Sequence, residues 1–267
     1  MVVTAFLAMW LSNTAPAVMM LTLCLPIARR LPSDDKYRMA IVLAVPFSAN
    51  VGGLGTPIGS PPNAIAMEYM RQGGFAPSFG MWMAVGIPGT IVMIAVVWSV
   101  LMLLSLGRQS TLEMQVQTIK IEYSPHVVLV VGVSLLTVLG WMTTGLHGFA
   151  AGTVALLPVI SLFGAKILKV KDLRALPWDV LLMMGGGLCM GKAIAVSGLA
   201  AWLVERLPVD ESGCFWLMVI FGTAACLMSS LMSNTATANL LMPIVLGLSI
   251  DNLSPILVGV AFACTLA

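Results

Sequence analysis

The chain has 267 residues, 59% of them hydrophobic and only 9% charged, with a formal net charge of +2 at pH 7. A soluble domain carries about 25% charged residues, so this composition, with a mean hydropathy of +1.01, places the chain in a lipid bilayer. The sparse, dispersed positive charge offers no basic face, so no nucleic-acid partner is expected. Cys24, Cys189, Cys214, Cys226 and Cys264 lie apart in apolar stretches without metal-ligand spacing and read as packing residues. Met1 is followed at once by an apolar run without a basic flank or a small-residue cleavage site, so membrane insertion is expected to rest on internal segments.

In chain order, the first predicted element is a re-entrant hairpin over residues 1–28. An apolar arm runs into Trp10-Leu11-Ser12-Asn13-Thr14-Ala15-Pro16, and a second apolar arm follows. After a basic loop, residues 37–72 form an apolar segment interrupted between Asn50 and Asn63 by glycines and prolines that no continuous helix tolerates, which predicts a broken transmembrane helix. Residues 78–200 are expected to link the repeats through four spans, 80–106, 127–142, 149–163 and 180–196. A second re-entrant hairpin is predicted over 212–250, around Leu231-Met232-Ser233-Asn234-Thr235-Ala236, and residues 255–267 begin a further transmembrane helix. Membrane strands would alternate polar and apolar residues, whereas 127–136 is almost unbroken hydrocarbon. The expected fold class is an all-α polytopic membrane protein.

The Ser-Asn-Thr repeat carries the most information. Irregular backbone survives at membrane depth only where protein or a water-filled cavity satisfies it, so two polar tips imply a cavity. One broken and four continuous helices make five crossings between the tips, so the second hairpin enters from the opposite side. Loop charge agrees: Arg29, Arg30, Lys36 and Arg38, then Arg108 and Lys120, then Lys166, Lys169, Lys171 and Arg174 fall on every second loop, as cytoplasmic loops do. The alternate loops hold Arg71 alone, His147 alone, and the mixed set Glu205, Arg206, Asp210 and Glu211. This is inverted-repeat topology.

At each tip a half-helix begins. Asn13 or Thr14, followed by Pro16, suits a helix start, and Ser60 is expected to cap a half-helix whose first turn holds Pro61 and Pro62. Such N-termini favour anions, whereas carbonyls near Leu11, Gly55 to Gly59 and Met232 offer oxygens to a small hard cation such as sodium. No Arg, Lys, Asp or Glu lies near either tip in sequence, so an anionic substrate is expected to be balanced by co-bound sodium, with no other cofactor. A single Ser-Asn-Thr also serves as polar glue between helices, and it is the matched pair that favours a binding site. Gly185 to Gly187 reads as close packing against a hairpin. Lys192 is expected to snorkel to the outer interface and Asp179 to sit at the cytoplasmic helix entrance; His126 and His147 read as interface residues.

These tips, Gly59-Ser60-Pro61-Pro62-Asn63, and Gly185-Gly186-Gly187-Leu188 after Leu176-Pro177-Trp178 resemble the divalent anion:sodium symporter family over essentially the whole chain. The resemblance implies a carrier in the cell membrane that couples sodium entry to uptake of a divalent anion. A C4-dicarboxylate such as succinate is the first expectation, and sulfate or another inorganic oxyanion the alternative. It also implies elevator-like or rocking alternating access and a homodimer. It maps Ser12, Asn13, Thr14, Ser60 and Pro61 to one substrate half-site and Ser233, Asn234 and Thr235 to the other. For sodium it maps Ala8, Ser12, Asn13 and Gly59 to the first repeat, and Ser229, Met232 and Asn234 to the second. Ala8 stands where the resemblance favours a serine, so only its carbonyl serves, whereas Ser229 holds the equivalent place in the second repeat. The same likeness predicts an incomplete chain, starting inside a hairpin arm and stopping in the helix before a second break. A membrane enzyme is disfavoured by the lack of HExxH or a Ser/His or Cys/His set. An anion channel shares the half-helix architecture and is separated by passive, uncoupled flux.

Overall fold

The computed structural model describes residues 1–32, 35–75, 77–105, 124–199, 202, 213–248 and 253–267, and among them the regular structure is entirely helical. Arg108, Lys120, Glu205, Arg206, Asp210 and Glu211, used above for loop charge, lie outside the described residues. The described chain divides into two compact units: one comprises Met1–Pro77, Trp82–Arg108 and Trp178–Ala267, the other Ser78–Met81 and Gln109–Pro177.

In the first unit, α1 (Val2–Ala8) and α2 (Thr14–Ala28) form a helical hairpin. α3 (Lys36–Gly52) begins under Asp35, whose carboxylate accepts from the Tyr37 amide at 2.9 Å. The chain is non-helical over 53–60 and resumes as α4 (Pro61–Gln72), with Ser60 extended and Pro61 and Pro62 at its first two positions. Two close approaches fix where this broken helix sits. A Cβ at Gly52 would stand 2.3 Å from the Ala5 carbonyl oxygen, so α1 lies backbone to backbone on the end of α3. At the far end of α4, Arg71 pairs with Glu68 at 2.7 Å, so this loop carries no uncompensated positive charge from Arg71.

α5 (Phe79–Ser105) and α6 (Pro125–Met142) are long and apolar enough to cross a membrane, and their apolar faces are largely exposed, as lipid contact requires. α7 (Thr144–His147) ends at Gly148, which adopts the left-handed conformation, and α8 (Ala151–Gly164) follows. At 1.5 Å per residue α8 spans roughly 21 Å, well short of about 30 Å of hydrocarbon. The predicted span 149–163 is itself of this length, and the helix begins at Ala151 after the turn at Gly148. In the second unit α8 packs on α6 through Gly140 and Val154, and Trp141 donates to the Ala151 carbonyl at 3.0 Å. His147 is held against its own backbone, with Nε2 2.8 Å from the Gly140 carbonyl. A short α9 (Val170–Arg174) completes this unit.

α10 (Trp178–Val196), α11 (Cys214–Ser229), α12 (Asn234–Leu246) and α13 (Ser254–Leu266) belong to the first unit. α11 and α12 form the second hairpin, which packs on α4 and α13. The core comprises Ile65, Ala66 and Tyr69 of α4, Phe221 and Ala225 of α11, Met242 and Val245 of α12, and Ile256, Val260 and Cys264 of α13. Lipid tails are as apolar as these side chains, so close fit rather than water exclusion must hold the helices together. Small residues supply that fit on α10. A Cβ at Gly187 would collide with the Asn239 side chain, and one at Gly191 with the Tyr69 hydroxyl, both at 1.9 Å, while Gly185 and Gly186 face open space. Gly187 and Gly191 thus form a four-residue-spaced notch for α12 and α4.

Gly52→Val should destabilise the protein by about 1–3 kcal/mol or more, because rigid backbone blocks the added methyls. Gly132→Ala, facing open space in α6, should be neutral or slightly stabilising. Thermal unfolding of the purified protein in detergent checks this: equal midpoints for the two variants would contradict the close α1–α3 approach.

Candidate functional site

The interrupted segment 53–60 leaves carbonyl oxygens without helical partners, and side chains from several elements converge on them. Asn63 of α4, fully buried, donates through its amide nitrogen to the carbonyls of Gly53 at 2.7 Å and Thr56 at 2.8 Å. Trp82 donates to the Leu54 carbonyl at 3.1 Å, and Thr90 to that of Val51 at 3.3 Å. The Thr56 hydroxyl in turn donates to the Met9 carbonyl in the first hairpin turn.

Asn13 completes this cluster. It occupies the N-cap position of α2 with helical backbone angles, yet its side chain does not cap its own helix. The carboxamide instead reaches the break, with one terminal atom 3.1 Å from the Gly59 carbonyl and 3.3 Å from that of Ala49. Turned one way, the amide nitrogen donates to both carbonyls. Turned the other, the nitrogen faces Asn50 Oδ1 at 3.4 Å and three oxygens converge, which is repulsive unless a cation sits among them. The nitrogen-inward orientation satisfies both carbonyls by itself, and with the oxygen turned inward around an ion Asn13 Oδ1 and these carbonyls would make the all-oxygen set a hard cation takes. Ser12 and Thr14 are exposed at the tip, and Ala8 is fully buried at the end of α1.

The second hairpin builds a related arrangement with different parts. Ser233 is a true cap: it is extended, and its hydroxyl accepts from the Ala236 amide at 3.1 Å. The amides of Asn234 and Thr235, at the first two positions of α12, then have no partner within the helix. Asn234 turns back toward α11, where Ser229 Oγ stands 2.9 Å from Asn234 Oδ1 and 3.2 Å from the Cys264 carbonyl of α13. One hydroxyl proton cannot serve both acceptors fully, so this too is an oxygen-rich cluster. Thr235 is buried, whereas Met232 and Ser233 are exposed at the tip.

The two clusters meet through a pair of hydroxyls. Ser60 Oγ lies 3.1 Å from Thr265 Oγ1, which also donates to the Ala261 carbonyl at 2.9 Å. This corrects the expectation that Ser60 caps α4: it holds the capping position, but its hydroxyl is committed to α13. Nor does α4 offer free amides to an anion. Pro61 and Pro62 lack N–H groups, and the Asn63 amide donates to the Ser60 carbonyl at 3.1 Å. Pro61 is half-buried at that helix start. The sequence reading missed Ala49 and Cys264, which contribute only backbone oxygen and leave no side-chain signal, and Thr265, a single hydroxyl in an apolar run. Asn63 was visible as the one amide after two prolines, but its inward aim was not. Among the described residues no group of three or more His, Cys, Asp or Glu side chains could hold a metal.

A family model described as "Citrate transporter" matches residues 1–267. The chain is 32% identical over its full length to the low-affinity phosphate transporter of Saccharomyces cerevisiae, of which it covers 30%. Over 98% of its length it is 33% identical to the sodium-dependent dicarboxylate transporter SdcS of Staphylococcus saprophyticus, of which it covers 58%. It covers 55% of the SdcS of Staphylococcus aureus strain USA300, again at 33% identity. The chain thus spans about a third to somewhat more than half the length of these relatives.

Asn63→Ala would strand the buried carbonyl of Gly53 and leave that of Thr56 with only the Gly59 amide, at a cost of about 1–3 kcal/mol. A clearly lowered unfolding midpoint in detergent is expected; an unchanged midpoint would show that the amide does not hold the break together.

Proposed function

This chain belongs to the citrate transporter family, a family of multi-pass cell-membrane transporters rather than enzymes, and we propose that its protein couples sodium entry to uptake of a dicarboxylate such as succinate. The observation that carries this reading is the oxygen-only surroundings of the two repeat asparagines. Asn13 faces the Ala49 and Gly59 carbonyls, and Asn234 faces the Ser229 hydroxyl beside the Cys264 carbonyl. Among the described contacts of these clusters there is no Lys or Arg to neutralise an anion. Two sodium ions, one per cluster, would supply that charge, held by Asn13, Ala49 and Gly59 in the first and by Ser229, Asn234 and Cys264 in the second.

The substrate carboxylates would lie between the tips, met by the exposed hydroxyls of Ser12, Thr14 and Ser233 and by the unpaired amides at the start of α12. Because α4 presents no free amide, its contribution is the helix dipole and the Pro61 ring rather than donated hydrogen bonds. Alternating access would carry the two hairpins and their ions past a scaffold as one body, in a homodimer. The named activity of SdcS favours a dicarboxylate, whereas that of the yeast relative favours a second reading, inorganic phosphate. The two differ in the spacing of their charges, which competition between substrates resolves.

Labelled succinate uptake by the full-length protein in liposomes should require an inward sodium gradient, and Asn13→Ala and Asn234→Ala should each abolish it while the protein remains folded. Uptake indifferent to sodium would refute the coupling. Normal uptake in both variants would refute the site, and competition by phosphate but not by dicarboxylates would move the substrate to the second reading.

A further inference from the structure

Accepting the proposed pair of sodium sites, the contact that deserves a function is the one joining them. Ser60 and Thr265 are 205 residues apart in sequence, and both are buried, Ser60 to 3% and Thr265 to 0% exposure. Thr265 Oγ1 stands 2.9 Å from the Ala261 carbonyl and 3.1 Å from Ser60 Oγ, so its single proton goes to one of them and, when it goes to Ala261, the Ser60 hydroxyl donates to Thr265. Both hydroxyls are thereby fixed. The Ser60 hydroxyl gives up capping its own helix to make this bond.

Each partner is covalently next to a cluster oxygen. The carbonyl of Gly59, which faces Asn13, belongs to the rigid peptide unit that ends at the Ser60 nitrogen. The carbonyl of Cys264, which faces Ser229 and through it Asn234, belongs to the peptide unit that ends at the Thr265 nitrogen. Turning the oxygen of a planar peptide changes ψ of the residue before it and φ of the residue after it, so holding Ser60 and Thr265 in place restrains these two carbonyls. The continuous path therefore runs from Asn13 to the Gly59–Ser60 peptide, across the hydroxyl pair to the Cys264–Thr265 peptide, and on through Ser229 to Asn234.

We propose that the Ser60–Thr265 hydrogen bond couples the two cation clusters, so that occupation of one orients the carbonyl ligand of the other and raises its affinity for sodium. Thr265 is a positioning residue in this scheme: it touches neither ion, and it acts by holding Ser60. Coupling between binding sites is reciprocal, so the bond makes sodium activation cooperative whichever site fills first. Its strength is that of one buried neutral hydrogen bond, so its loss should change half-saturating sodium by roughly three- to tenfold.

The test is sodium-dependent succinate uptake by the full-length protein in liposomes, read as a sodium activation curve at fixed succinate. Wild type should give a Hill coefficient above one. Thr265→Val keeps the shape of the side chain and removes the hydroxyl, and should lower the coefficient toward the value two independent, jointly required sites give, with half-saturating sodium raised roughly three- to tenfold. Maximal uptake at saturating sodium should be preserved, which a merely damaged fold would not give. Thr265→Ala makes the same deletion with less bulk and carries the same expectation, and Thr265→Ser restores the hydroxyl and should restore cooperativity. Sodium-dependent wild-type uptake with Thr265→Val and Thr265→Ala curves indistinguishable from it overturns the coupling while leaving the sodium symport reading intact. Loss of cooperativity in Thr265→Ser as well assigns the effect to packing and also overturns it. Wild-type uptake that ignores sodium removes the symport reading itself, and the coupling falls with it.

Discussion

An interrupted helix in a medium without water must find partners for every carbonyl that its missing turns leave open, and this constraint organises the first unit of the protein. Between Val51 and Thr56 the open oxygens are answered by Thr90, Asn63 and Trp82. The loop answers back through Thr56, whose hydroxyl ties it to the first hairpin. The donors come from α4 and α5 and the Thr56 bond reaches the first hairpin, so the break can exist only once α1, α3, α4 and α5 are assembled. The glycines follow from the same demand. Gly52 lets α1 come close enough for the Met9 carbonyl to meet Thr56, and a side chain there would collide with Ala5.

What that accounting leaves over is the candidate site. The Gly59 carbonyl faces the Asn13 carboxamide, which also reaches the Ala49 carbonyl beside the bond that carbonyl accepts from the Gly53 amide, and the Cys264 carbonyl faces Ser229 beside Asn234. Oxygens gathered in this way become ligands for a hard cation when the asparagine carboxamide turns its oxygen inward. The hairpins reach this state by different routes. The first sends its asparagine across to a broken helix, and the second folds its asparagine back onto its own leading arm, using the serine that the first repeat replaces with Ala8. Their starts differ likewise. Ser233 caps α12, leaving two amides free, whereas Ser60 gives its hydroxyl to Thr265 and its helix opens on two prolines.

Much of this architecture could be read from the chain itself. The repeated Ser-Asn-Thr located both hairpin turns, the glycines and prolines between Asn50 and Asn63 located the break, and Gly187 proved to be the close-packing residue expected of its run. The rest was hidden for physical reasons. Ala49 and Cys264 act through backbone oxygen, which every residue possesses, so no side-chain pattern marks them. The role of Ser60 depends on Thr265, and a contact between residues so far apart has no local signature. Helix starts were misjudged where a capping residue found a better tertiary partner: the rule that serine caps a helix holds at Ser233 and fails at Ser60 because α13 is within reach. α8 is about as short as the apolar run 149–163 announces, and begins at Ala151 after the left-handed turn at Gly148.

The orientation of one carboxamide tests the account most directly. A high-resolution structure of the full-length protein, determined once in sodium and once with choline in its place, should show an ion among Asn13 Oδ1 and the Ala49 and Gly59 carbonyl oxygens only in sodium. In choline the carboxamide should turn so that its nitrogen donates to both carbonyls. An amide nitrogen facing those carbonyls in saturating sodium, with no ion between them, would contradict the proposed cation site and the sodium coupling built upon it.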